Sequence, residues 1–240
     1  MSDPQSPLAS PSADDIAEIG RQLPTASPKK QLQLIAQLAQ AGEPGLDALM
    51  AFLQECDATA NPAAGKAYQT LYQAEMPAAQ QFLAERFPEG MVPLRSQRGV
   101  DYSPIQQALA QQAYQSADRL TREKLCELAG PDAVGRQWLY FTEVNNFPTP
   151  DLQTVDELWL AYSEGKFGYS VQRQIWLSVG QAWEKLWPKI GWKSGRNWTR
   201  YPDEFVWDLS APRGHLPLSN QLRGARVLIS LLTHPAVAGE

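Results

Sequence analysis

Apolar residues return every three to four positions through most of the chain, and that period predicts helices rather than strands. Leu32, Ile35, Leu38 and Ala39 form one such stripe, and Leu46, Leu49, Met50 and Leu53 another. Each stripe gives a short helix one face to bury against its neighbours. Pro and Gly punctuate this first stretch at Pro24, Gly42-Glu43-Pro44, Asn61-Pro62 and Pro88. The pattern from Asp14 to Phe87 therefore predicts a small antiparallel helical bundle. The similar lengths of SPKKQLQLIAQLAQ, LDALMAFLQEC and AYQTLYQAEM hint at a solenoid of helix pairs, without a residue-level repeat.

Periodicity lapses over FPEGMVPLRSQRGVDYSP, residues 87–104, where Pro, Gly and charge accumulate, and this is the expected boundary. Beyond it helical spacing resumes. Ile105, Leu109, Ala113, Ala117, Leu120, Leu125 and Leu128 follow one another up to a stop at Gly130. Asp151 is expected to cap a helix carrying Leu152, Val155, Leu158, Trp159 and Tyr162, and Ser170 one carrying Val171, Ile175, Trp176, Val179 and Trp183. An apolar helix from Leu222 to Leu232 closes the chain. Strand-like alternation is scarce. The expected fold is all-α: a Pro/Ser-rich disordered tail over 1–13, a small N-terminal helical bundle over 14–90, and a larger helical ligand-binding domain with long loops over 100–240.

Composition weighs against several functions. The net charge of -5 lacks the basic footprint that tracks a phosphate backbone. No run approaches the roughly 18 to 20 apolar residues of a membrane span. The first residues carry neither the basic start of a secretory signal nor the Arg-rich character of a transit peptide, so a cytoplasmic protein is expected, at most peripheral to membranes. Cys56 and Cys126 are isolated, which suggests neither a disulfide framework nor a thiolate metal site. No nucleophile elbow or phosphate loop occurs. His215, flanked by Pro and Gly, is expected to fix a loop rather than serve as ligand or base. An enzyme is not expected.

One segment breaks the pattern. All eight Trp lie between Trp138 and Trp207. From Ile190 to Arg226 there are six basic residues, Lys193, Arg196, Arg200, Arg213, Arg223 and Arg226, against Asp203, Glu204 and Asp208, inside an acidic protein. Gly191, Gly195, Pro202, Pro212, Gly214 and Pro217 forbid a long helix there. Aromatic faces supply stacking area and Arg a planar fork for carboxylates, so the segment suits a flat, apolar ligand with an anionic edge. The same rings, Trp192, Trp198, Phe205 and Trp207, also suit pinning the loop to the helices. Arg223 and Arg226, three apart, would share one face at the start of the last helix.

DLQTVDELWLAYSEGKFGYSVQRQIW (151–176) and GRNWTRYPDEFVWDLSAPRGHLPLSNQLRG (195–224) closely resemble the genomes-uncoupled-four family, the tetrapyrrole-binding regulators of magnesium chelatase. The resemblance spans about residues 102–232, and the preceding helices look like the extra N-terminal domain of cyanobacterial members. It implies a non-catalytic protein, with no cofactor or metal ligand of its own, that binds protoporphyrin IX and Mg-protoporphyrin IX on a cupped apolar surface. It further implies stimulation of magnesium chelatase in chlorophyll biosynthesis, with the large porphyrin-binding subunit as partner. By motif, NWTRYP contributes Trp198, Arg200 and Tyr201, NQLRG contributes Asn220 and Arg223, and Phe205 and Leu216 form apolar wall. Trp192 is added as a ring and Arg226 as an assisting cation. ADRLT, residues 117–121, also resembles the family and reads as a packing and capping element. A monomer without nucleic acid is expected. The alternative is an aromatic, Arg-rich module that binds protein or single-stranded nucleic acid, the latter with steep salt dependence.

Overall fold

The computed structural model describes residues 12–56, 61–219 and 225–239. Its first five helices are α1 (Ala13–Gln22), α2 (Pro28–Ala39), α3 (Glu43–Glu55), α4 (Pro62–Gln73) and α5 (Pro77–Arg86). The Pro and Gly signals fall at their ends because proline has no N–H to lose in a first turn and cannot continue a preceding helix. Ser12 starts α1 with a reciprocal cap: its hydroxyl accepts from Asp15 N at 3.2 Å, and the Asp15 carboxylate accepts from Ser12 N at 3.0 Å. The buried stripe of α2 is Leu34, Ile35 and Leu38, whereas Leu32 is half-buried and Ala39 exposed. Two overlapping stripes fit the same residues, and packing against α3 and α4 selects the one with the larger side chains.

The remaining elements are α6 (Ser103–Ala110), α7 (Tyr114–Ala129), α8 (Pro131–Arg136), α9 (Phe141–Val144), α10 (Thr149–Ala161), α11 (Tyr169–Ser178), α12 (Trp183–Lys189), α13 (Arg226–Thr233) and α14 (Pro235–Ala238). The expected continuous stripe over 105–128 is two helices. Gln112 takes φ of 57° between α6 and α7, so the chain reverses and both helices turn their apolar faces to one core.

Neither expected cap residue occupies a cap position. Asp151 lies inside α10, not at its start, and its carboxylate accepts from Gln97 N at 2.8 Å, from Tyr102 Oη at 3.0 Å and from Ser96 Oγ. It pins the link between α5 and α6 to the core. Ser170 follows the first residue of α11, and Gly168 is the cap position; Ser170 N donates to the buried Asp156 carboxylate at 2.9 Å. The last long helix begins at Arg226 among the described residues, so the expected start at Leu222 lies outside them.

Helices α4 and α10 cross where the two halves meet. Gly65 in α4 sits so close to α10 that a Cβ would fall 1.9 Å from the Ala161 carbonyl oxygen. Four residues on, Gln69 Nε2 donates to the carbonyls of Leu109 at 2.8 Å and Tyr162 at 2.9 Å. Tyr114 Oη also donates to the Tyr162 carbonyl, at 2.8 Å, and Tyr162 Oη donates to Gln106 Oε1 at 3.0 Å. Lys66 and Glu164 pair at 2.6 Å on the rim. The spacing 62, 65, 66, 69 thus presents one face of α4 to the other half, and buried polar groups find partners there, as burial requires.

Candidate functional site

The aromatic segment starts from a two-residue hairpin, β1 (Lys193–Ser194) against β2 (Asn197–Trp198), turning at Gly195 with φ of 59°. The register sets Lys193 opposite Trp198, and Lys193 Nζ lies 5.2 Å from the indole centroid. Thr199 ties the hairpin down, its N donating to Trp192 O at 3.1 Å and its hydroxyl to Gly191 O at 2.9 Å.

Behind the hairpin runs a column of indoles. Trp176 stacks on Trp183 at 5.0 Å, Trp183 on Trp187 at 5.2 Å and Trp187 on Trp192 at 5.8 Å, while Trp198 approaches Trp187 at 5.5 Å. Trp183 and Trp187 are four apart on α12, which brings their rings together on one face. A second cluster joins Tyr201, Phe205 and Trp207, with Tyr201 at 6.5 Å from Phe205 and 5.9 Å from Trp207. Among the described residues no ring contact joins Trp198 to Tyr201.

His215 organises the interior of this segment. Its Nδ1 donates to Ile190 O at 2.7 Å and its Nε2 accepts from Val206 N at 3.3 Å, an arrangement that fixes the neutral tautomer. Burial holds its pKa below the ordinary value against the opposing Ile190 hydrogen bond. The His215 carbonyl accepts from Trp192 Nε1 at 2.8 Å, and the imidazole packs on Phe205 at 5.2 Å. It fixes the loop.

The sequence-assigned site residues therefore separate into three groups. Trp198 and Tyr201 are exposed, at 42% and 48%, and Arg200 is exposed beside them. Trp192, Phe205 and Leu216 retain only 1%, 5% and 0% exposure, which places them as wall behind that face with no open surface of their own. Arg226 lies at the start of α13, 5.7 Å from the ring centroid of Phe141. Asn220 and Arg223 lie outside the described residues.

Helix α7 connects these groups along residues 118, 122 and 126, one turn apart on one face. Asp118 accepts from Leu218 N at 2.6 Å. Burial pushes its carboxyl up to about 7, opposed by that bond and by nearby Arg122. Arg122 lies 5.8 Å from the Tyr201 ring centroid. Cys126 is near Arg122, Arg136 and Glu143. Thr121, in the same ADRLT motif, accepts from the buried Trp159 Nε1 at 3.0 Å, so the motif does pack and tether.

Sequence reasoning passed over Arg122 and the segment that follows α7, where Val134, Tyr140 and Phe141 expose 51%, 47% and 36%. Arg136 sits over Trp138 and Tyr140 and pairs with Glu143 at 2.7 Å. The available signal was the run WLYF, residues 138–141, whose apolar side chains match no single face. Among the described residues Arg122, Arg196, Arg200 and Arg226 take part in no ion pair. A hollow of about 500 Å³ adjoins Trp198, bordered by Arg196 and Arg200. Unpaired guanidiniums beside exposed rings can bind the apolar face and the carboxylates of one flat molecule together.

The chain matches two family models: GUN4-like over residues 95–235, and ARM-like repeat domain, GUN4-N terminal, over residues 8–88. It is 53% identical over 225 residues to the Ycf53-like protein of Synechocystis sp., covering 93% of this chain and 97% of that one. It is 40% identical over 146 residues to the chloroplastic tetrapyrrole-binding protein of Arabidopsis thaliana, covering 57% of this chain and 55% of the relative. Its fold is similar to the structure of GUN4 from Chlamydomonas reinhardtii, with a TM-score of 0.58 and 44% identity over 61% of this chain and 94% of that one.

Proposed function

The chain belongs to the GUN4-like family, with an ARM-like repeat domain at its N-terminus, and from that premise we propose that it binds tetrapyrroles on the aromatic face of its C-terminal half. The observation that carries this reading is the pairing of exposed rings, Trp198 and Tyr201, with guanidiniums that have no ion-pair partner among the described residues, Arg200 and Arg122. The matched Arabidopsis relative, named as a tetrapyrrole-binding protein, supports it.

The ligands are protoporphyrin IX and Mg-protoporphyrin IX, each an apolar plate with two propionates. Burying a ring face against Trp198, Tyr201 and the exposed Val134 and Phe141 supplies the affinity, at roughly 25 cal/mol per Å² of apolar surface removed from water. Arginines set the orientation: Arg223 pairs a propionate, Arg200 or Arg226 assists, and Asn220 approaches the ring centre. The buried Trp192, Phe205 and Leu216 hold the face rigid. The protein is a non-catalytic regulator that stimulates magnesium chelatase through the large porphyrin-binding subunit.

Tryptophan emission and the porphyrin absorption band, followed during titration with each pigment, test the binding. Tyr201→Ala with Trp198→Ala is expected to weaken both pigments at least tenfold, about 1.4 kcal/mol, and Arg223→Ala to weaken them as well. Unchanged affinity in both variants would remove the proposal. Weak dependence on salt is expected, because apolar burial dominates; a steep dependence would favour the single-stranded nucleic-acid reading instead. Magnesium insertion by the chelatase, measured with and without the protein, tests the regulatory step separately.

A further inference from the structure

A cleft of about 540 Å³ opens where the two halves meet, on a different part of the molecule from the aromatic loop. Tyr68, Tyr72 and Phe87 line it from the first five helices and the residue after them, and Asp101, Gln106 and Gln107 from the other half. Tyr68 and Phe87 stand almost perpendicular, at 85° with centroids 5.9 Å apart, and Tyr72 lies roughly parallel to Tyr68 at 6.1 Å. Neither half alone contains this combination.

The charge of the cleft has one sign. Glu89 and Asp101 line it, and among the described residues no lysine or arginine does. Asp101 is held below the usual carboxylate range by hydrogen bonds from Ser103, whose N donates at 2.9 Å, so it stays ionised. Lys124, also close enough to lower it, is paired with Glu127 at 2.8 Å.

Tyr68 supplies an independent observation. The residue is 6% exposed, yet its hydroxyl makes no hydrogen bond with the described residues. It is not among the polar atoms sealed from solvent without a partner, so its open end is the cleft. A nearly buried hydroxyl normally finds a protein partner; this one is left for a visitor. The wall beside it is preformed. Gln106 donates to Glu89 O at 2.7 Å and accepts from Val92 N at 2.9 Å and Tyr162 Oη at 3.0 Å, which consumes its amide and fixes the chain at Glu89.

We infer that this junction cleft receives an arginine side chain from a partner polypeptide. The electron-rich faces of Tyr and Phe attract a cation, most strongly a planar one that can lie flat against them. Glu89 and Asp101 supply the countercharge, and the Tyr68 oxygen accepts one of the five guanidinium N–H groups. A lysine would find the charge but not the planar stacking. Because the three rings come from the first half and Asp101 from the other, the full cleft requires the ARM-like domain to be present, which gives that domain a recognition role. The inference is independent of the tetrapyrrole reading.

The test uses the full-length chain and a capped Gly/Ser peptide carrying one central arginine, with citrulline and lysine versions as controls. Ring resonances of Tyr68 and Tyr72 are followed by NMR as peptide is added. The arginine peptide is expected to shift them saturably, and the uncharged citrulline peptide to leave them in place. Tyr68→Phe and Asp101→Asn with Glu89→Gln are each expected to weaken binding roughly three- to tenfold, the range that one hydrogen bond or a partly exposed charge pair is worth. Absence of saturable shifts, equal binding of citrulline, equal binding of lysine, or indifference to both variants overturns the assignment. Porphyrin titration of the same variants should match the unaltered chain, so failure here leaves the proposed function untouched.

Discussion

The junction of α4 with α10 and the aromatic loop around Trp198 are both rich in rings, yet they are built on opposite principles. At the junction Gly65 abuts a carbonyl, and Gln69, Tyr114 and Tyr162 satisfy one another through hydrogen bonds with no exposed ring among them. In the loop the inner rings are locked by His215 while Trp198 and Tyr201 keep nearly half their surface open. A closed polar network makes a rigid joint, and an open apolar face with unpaired cations makes a binding surface. Aromatic content by itself does not distinguish the two; what the hydroxyl and indole N–H groups touch does.

Breaking the junction should cost most. Gly65→Val places side-chain atoms inside the Ala161 carbonyl, and a loss of more than about 4 kcal/mol is expected, read as collapse of the denaturant midpoint or failure to fold. Gln69→Ala leaves the buried Leu109 and Tyr162 carbonyls with one donor fewer each and a cavity where the amide was, for about 2 kcal/mol. Neither change should alter porphyrin affinity per folded molecule.

Beneath the loop, Asp118 sharpens the comparison through pH. Its folded carboxyl titrates at about 7 against 3.8 unfolded, so between those values the folded state holds the extra proton. This group's contribution to stability therefore falls as pH rises across that window and levels off above it. Asp118→Asn should flatten that part of the profile, gaining on the order of 2 kcal/mol relative to the unaltered chain at pH 8, measured by urea unfolding at several pH values. Buried His215, with its lowered pKa, acts oppositely: stability is lost as pH falls below about 6.5, the ordinary histidine value. The smallest effect on stability belongs to the proposed binding face, where Trp198→Ala should change stability by less than about 1 kcal/mol while porphyrin affinity drops.

The helices of the first half were legible because Pro, Gly and the helical period agree at their ends. Errors arose where one sequence feature admits two structural uses. Asp151 and Ser170 are good caps by composition, but the buried link before α6 takes the Asp151 carboxylate, and α11 starts one residue before Ser170 with Gly168 at its cap. The run from Ile105 to Leu128 keeps its apolar spacing through a reversal, because both helices face the same core. At the loop, the density of Trp and Arg marks the segment where exposed rings and guanidiniums lie side by side, and the motif singles out Trp198, Arg200 and Tyr201, which the structure leaves exposed. That Trp192 and Leu216 turn inward could not be read this way, since a ring's exposure depends on residues such as Trp187 and His215 that meet it from other elements.

Local chemistry was enough to fix the helical class, the punctuation between elements and the place where rings and guanidiniums concentrate, because backbone preference and amphipathic period act over a few residues. Only the tertiary structure decided which rings are sealed and which are open, that α4 locks against α10, and that Tyr68 meets Asp101 across a shared cleft. Those outcomes depend on side chains far apart in sequence competing for the same buried space and the same hydrogen-bond donors, and no window along the chain contains both competitors.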